Sequence, residues 1–139
     1  MNNTFVVAQS SKIKDQSQVK KAKPEVKYRA FYLSLDVIRF LDTLPYKGSL
    51  KIISDQLIRC ITSIGANIVE AKASSSKREF ANYFQISLKS ANEVKYWLAL
   101  LKEPLPSNKT VIDRFIQETD EIARIIGTSV LTMKGKTKL

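Results

Sequence analysis

Arg78, Gln85, Lys89 and Tyr96 follow one another at steps of 7, 4 and 7 residues. On an α-helix that spacing puts them on one stripe. Two cations and an aromatic ring on one stripe are the mix that holds phosphate oxygens and stacks on bases. Glu93 lies close by and weakens the field, and an ordinary solvated face is the plain alternative for a single chain. Lys134, Lys136 and Lys138 add three more cations at the end of the sequence. These six residues, Gln85 aside, are the candidate nucleic-acid contacts.

A second set, Gln56, Ser63, Asn67 and Glu70, steps by 7, 4 and 3 residues. It lies beside an apolar seam. Such a strip either lines a ligand channel or forms hydrogen bonds that fix helix register and subunit orientation; the second reading is favoured. Arg59 sits near the small residues Thr62 and Ala66, within reach of Glu70 of a neighbouring subunit. Arg59, Thr62, Ala66, Asn67, Glu70 and Trp97 are the candidate subunit contacts.

Catalytic chemistry is hard to assemble from these residue types. The chain has no His, which removes the most usual general base and metal ligand. Cys60 lacks a His partner and lies in an uncharged stretch, so a buried, inert thiol is expected. Glu118/Glu121 and Asp120/Glu121 are carboxylate pairs, but a solvated helix face accounts for them. No Gly-rich phosphate loop or zinc-ligand spacing occurs. No enzyme activity, cofactor or metal is expected.

The elements that carry these residues are helices. Phe31, Leu35, Ile38 and Leu41, with Leu33, Val37, Phe40 and Leu44, form a wide apolar stripe that predicts a helix over 30–44, ended by Pro45. Pro24 speaks against helix before Tyr28. Ser49 is a suitable N-cap for a second helix, with a seam of Leu50, Ile53, Leu57, Ile61, Ile64, Ile68 and Ala71 at the 3.5-residue period of bundle packing. Gly65 in mid-helix costs about 1 kcal/mol relative to Ala, so close approach of another backbone is expected there. Ser76 and Glu79 have capping-box spacing and open a third helix to about Lys102, with its seam at Phe80, Phe84, Ser87, Ala91, Val94, Leu98 and Leu101. Tyr83, Ile86 and Trp97 flank that seam. After the Pro104–Pro106 linker a fourth helix is expected over 110–133, its seam including Val111, Phe115, Ile122, Ile125, Ile126 and Val130. Gly127 is an early stop or a tolerated interior residue.

Four long helices with short connections predict an all-α, up-down-up-down antiparallel four-helix bundle. The bundle occupies 28–133, with a basic arm over 1–27 and a basic tail over 134–139. The chain of 139 residues is long enough to bury a core. One cysteine permits no internal disulfide. No apolar run reaches signal-peptide or membrane-spanning length. A cytoplasmic setting and no membrane partner are the expectation. Of the formal net charge of +10, +4 falls in residues 1–27 and +3 in 134–139. Basic tails suit an anionic partner, solvation being the bland alternative.

Residues 56–101 carry a family resemblance. Gln56-Leu57-x-Arg59, Thr62-Ser63-Ile64-Gly65-Ala66-Asn67-Ile68-x-Glu70-Ala71, Ser75-Ser76-Lys77-x-x-Phe80, Ser87-Leu88-Lys89-x-Ala91-x-Glu93 and Tyr96-Trp97-Leu98-x-Leu100-Leu101 occur in register. The chain resembles the small four-helix bundle proteins first noticed as open reading frames inside intervening sequences of bacterial large-subunit ribosomal RNA. That resemblance implies a homo-pentameric ring of bundles. It also implies a more distant kinship with accessory proteins of diversity-generating retroelements, similar pentamers that bind nucleic acid and a reverse transcriptase. The chain departs from those outside the Trp-Leu-x-x-Leu-like part of the third helix, which speaks against a reverse-transcriptase partner without closing it off. No catalytic residues carry over. The expected function is a self-assembling, non-enzymatic bundle that binds RNA or DNA with low sequence selectivity. The alternative is a homo-oligomeric protein-interaction scaffold.

Overall fold

A computed structural model of the chain describes residues 25–137. Among the described residues there are four α-helices, one short 3-10 turn and no strand: α1 (Val26–Leu41), α2 (Gly48–Lys72), α3 (Lys77–Lys102), the turn Pro106–Asn108, and α4 (Lys109–Thr137). Each helix packs on its neighbours in the chain, and α4 closes the ring against α1. The helices alternate in direction, as an antiparallel bundle requires.

The seams meet in one core. α2 contributes Leu57, Cys60, Ile61, Ile64, Ile68 and Ala71, and α3 contributes Phe84, Ala91, Val94, Leu98 and Leu101, nearly all without solvent exposure. Full burial of a Leu or Ile side chain is worth roughly 1.5–3 kcal/mol. Two serines draw the outer helices onto α2. Ser34 Oγ of α1 donates to the Ile61 carbonyl (3.0 Å) and Ser87 Oγ of α3 to the Ile64 carbonyl (2.8 Å). Small hydroxyl side chains allow that approach while satisfying their own donors.

Several boundaries differ from expectation. α1 begins at Val26, because a proline restricts the residue before it and not those after; Pro24 therefore permits the earlier start. It ends at Leu41, and Leu44 packs on the core from the following turn. α2 starts at Gly48, whose φ of +60° suits glycine, after Lys47 in extended backbone, so Ser49 is inside the helix and is not its cap. Ser76 caps α3 as expected, its Oγ accepting from the Glu79 N–H at 3.1 Å. α4 passes through Gly127 and continues to Thr137. Lys134 favours that extension, since cations suit a helix C-terminus. The tail beginning at residue 134 is thus helical over most of its length. Residues 1–24, most of the expected arm, and Lys138 lie outside the described residues, as does the side chain of Lys136.

Candidate nucleic-acid interface and assembly face

The outward face of α2 divides into an apolar half toward α1 and a polar half toward α3. On the α1 side, Gly65 faces Ala30: a Cβ there would stand 3.6 Å from the Ala30 Cβ, an ordinary contact, so the helix approach expected at this position does not itself require glycine. Outside this contact the small residues leave a groove of about 350 Å³, lined by Phe31, Leu35 and Ile38 of α1 and by Gly65, Ala66 and Val69 of α2. Val69 is 54% exposed. Thr62, at the groove's edge, satisfies its own hydroxyl on the Ile58 carbonyl (2.8 Å). No residue from Cys60 to Val69 is charged, so on the α2 side covering this face would desolvate little; Lys27 of α1 is the one charged residue in the lining. By length and composition α2 could also cross a membrane, a property it shares with core helices of globular bundles.

On the α3 side the polar strip is bonded internally. Asn67 Nδ2 donates to the Ser63 carbonyl (2.8 Å) and to Ser63 Oγ (2.9 Å), and Ser90 Oγ donates to Ser63 Oγ (2.9 Å). This network supports the register-fixing reading over a ligand channel. Arg59 pairs within the chain. It donates to Gln56 Oε1 from Nε (3.2 Å) and from a terminal nitrogen (3.1 Å), and it forms an ion pair with Glu93. Glu93 Oε2 also accepts from Trp97 Nε1 at 3.0 Å. Arg59 therefore has a partner in its own chain, whereas Glu70 is exposed and has no side-chain bond among the described residues.

The α3 stripe is exposed at Arg78, Lys89 and Tyr96, with Gln85 half-buried. At 1.5 Å per residue, Lys89 lies about 16 Å and Tyr96 about 27 Å along the axis from Arg78. The Tyr96 ring stands 62% exposed and meets Trp97 edge-on at 5.2 Å. Glu93, which the sequence places as a countercharge to this stripe, is instead turned to Arg59 and Trp97. Lys134 is exposed near the end of α4. The candidate contacts are thus spread along one helix and onto another, and they do not converge on a pocket.

The carboxylates of α4 do more than face solvent. Arg29 of α1, with its side chain 9% exposed, donates to both oxygens of Glu118 (2.9 and 2.5 Å) and to Glu121 (2.8 Å). The Glu118 hydrogen bonds raise its already high pKa further. Sequence reasoning missed this pairing because the partners are 89 and 92 residues apart. Lys95 Nζ donates to Asp120 (3.1 Å), and with Arg124 it holds that carboxyl below its ordinary range. Burial pushes the Cys60 thiol up to about 12, with nearby Glu93 adding to the effect, so it stays protonated and unreactive at neutral pH. Among the described residues no group of three His, Cys, Asp or Glu side chains is placed to hold a metal ion.

Comparison with known proteins agrees with this architecture. No curated protein matches the chain at a significant level. A solved structure from Bacteroides thetaiotaomicron, described as a protein of unknown function from the S23 ribosomal protein family, is 30% identical to the chain. It superposes with a TM-score of 0.70, covering 76% of this chain and 97% of its own. The family model of the 23S rRNA-intervening sequence protein matches residues 22–128. The chain belongs to the 23S rRNA-intervening sequence protein family.

Proposed function

We propose that the protein is a self-assembling, non-enzymatic helical bundle that binds nucleic acid, RNA in particular, through phosphate contacts with little sequence selectivity. The observation that carries this reading is the charge: a formal net +10 on 139 residues, seven of those charges in residues 1–27 and 134–139. The exposed Arg78, Lys89 and Tyr96 extend it along α3. The family takes its name from an intervening sequence of 23S rRNA, and the related solved structure is assigned to a ribosomal protein family; both names favour RNA among polyanions. Self-assembly, as a pentamer by family resemblance, would repeat the α3 stripe around a ring, and avidity then makes weak contacts count.

The test is the salt dependence of binding to single-stranded RNA. Each neutralised phosphate releases counterions, so log affinity falls against log salt with a slope of about −0.7 per contact. A steep negative slope is expected. No binding at about 50 mM salt, where screening is weak, contradicts the reading. The exposed apolar groove between α1 and α2 favours a second reading, an assembly scaffold for proteins, and that reading would then lead.

A further inference from the structure

Because the helices alternate, one end of the bundle gathers the start of α1, the end of α2, the start of α3 and the end of α4. Residues 25–29, 70–80 and 130–137 there carry seven cations and three carboxylates. At the opposite end, residues 40–51 and 102–113 carry four cations and three carboxylates, and Lys51 and Lys102 of these four are held by Asp55 and Asp113. At the first end Arg29 is spent on Glu118 and Glu121, but Lys72, Lys77, Arg78 and Lys134 form no ion pair among the described residues.

Lys72 and Lys77 flank the turn Ala73-Ser74-Ser75-Ser76. This turn stands over a hollow of about 320 Å³ floored by Ala71, Phe80 and Met133. Ser74 Oγ is bonded to the Ala71 carbonyl (2.6 Å) and Ser76 Oγ to the Glu79 N–H (3.1 Å), while Ser75 Oγ has no bond among the described residues.

Resting on the nucleic-acid reading above, we infer that RNA is anchored by this end of the bundle: the phosphate backbone crosses the α2–α3 turn between Lys72, Lys77, Arg78 and Lys134. The stripe toward Lys89 and Tyr96 is a continuation of the contact and not its anchor. Like charges brought together from three helices sum their potentials. Exposed, unpaired cations also exchange water for phosphate without breaking an internal ion pair. The carboxylates at this end, Glu25, Glu70 and Glu79, are exposed and reduce the field without cancelling it.

The experiment is fluorescence anisotropy of a labelled single-stranded RNA of about 20 nucleotides against the full chain over a range of salt. It compares K72E/K77E with K89E/Y96A, and K72Q/K77Q serves as the milder version of the first should charge reversal disturb α2. Circular dichroism checks that each variant is folded. Expected are at least about a tenfold loss for K72E/K77E and a slope flattened by about 1.4, two contacts at about 0.7 each, against about threefold or less for K89E/Y96A. A greater loss from K89E/Y96A than from K72E/K77E overturns the anchor and leaves the nucleic-acid reading standing. If the unaltered protein fails to bind RNA at low salt, both fall. If it binds vesicles of anionic phospholipid through Lys72 and Lys77 but not RNA, the partner is a membrane surface and the inference is wrong.

Discussion

The seams of α4 and the α1-facing half of α2 are finished in opposite ways, the α3-facing half of α2 carrying its own ion pair, Arg59 to Glu93. Ion pairs cross both seams of α4: Arg29 to Glu118 and Glu121 on the α1 side, Lys95 to Asp120 and Lys102 to Asp113 on the α3 side. Along α2, no ion pair reaches α1 among the described residues, and the outward face between Cys60 and Val69 is uncharged. Instead there is the apolar groove against Phe31, Leu35 and Ile38. Charges placed across a seam suit a surface that ends in water, since they stay half-solvated and cost little. Small apolar residues without charges suit a surface that another protein covers, because little polar desolvation opposes burial. Under the proposed self-assembly, the difference makes the α1–α2 face the expected contact with another copy and leaves α4 to solvent.

The largest expected effect comes from Ala66→Lys, which sets a charged side chain into the groove. It should abolish self-association while leaving helicity by circular dichroism unchanged; an unaltered solution mass would place the interface elsewhere. On the sealed side, Arg29→Gln strips the clamp between α1 and α4. It should cost about 2 kcal/mol, the scale of hydrogen bonds to charged groups. Urea denaturation in the Ala66→Lys background measures this without contributions from dissociation.

Gly65→Ala sharpens the comparison from the open side. The added Cβ meets Ala30 at 3.6 Å, an ordinary contact, and the helix gains about 1 kcal/mol. A gain in the same background is expected, whereas a loss would show α1 and α2 packed more tightly than the structure has them.

The smallest effect is acidic. Asp120, held below its ordinary range first by the Lys95 hydrogen bond, contributes stability above its unfolded pKa of about 3.9, and this is lost as pH falls through the lower folded value. Asp120→Asn should remove that part of the acid dependence in a denaturation series between about pH 5 and 2. An unchanged series would show that the pair does not form in solution.

Much of the bundle is legible in the sequence where one residue type dominates a seam. In α3 the residues from Phe84 to Leu101 are buried at the predicted 3-4 spacing, Ser87 included. In α4 adjacent apolar pairs defeat the period. The expected seam has Val111 where Ile112 is the fully buried member, and it has both Ile125 and Ile126, of which Ile126 is fully buried and Ile125 is 39% exposed. The true line runs Ile112, Phe115, Thr119, Ile122, Ile126 and Val130. Thr119 hides it, a polar residue whose hydroxyl is satisfied on the Phe115 carbonyl at 2.7 Å. The sequence misleads about helix starts where proline acts in only one direction and where glycine takes the positive-φ position at the head of α2.

The candidate sites were legible only as single-helix stripes. Pairings between helices, Arg59 with Glu93 and Arg29 with α4, leave no local signature. The gathering of Lys72, Lys77, Arg78 and Lys134 at one end depends on the order and direction of the helices.

The contrast between the two sides is tested most directly by the mass of the intact protein in solution. Multi-angle light scattering at micromolar concentration should give a stable multiple of the 15.7 kDa chain, five-fold if the family resemblance extends to assembly. A monomer mass that does not change with concentration would contradict the assignment of the α2 face to another copy of the chain.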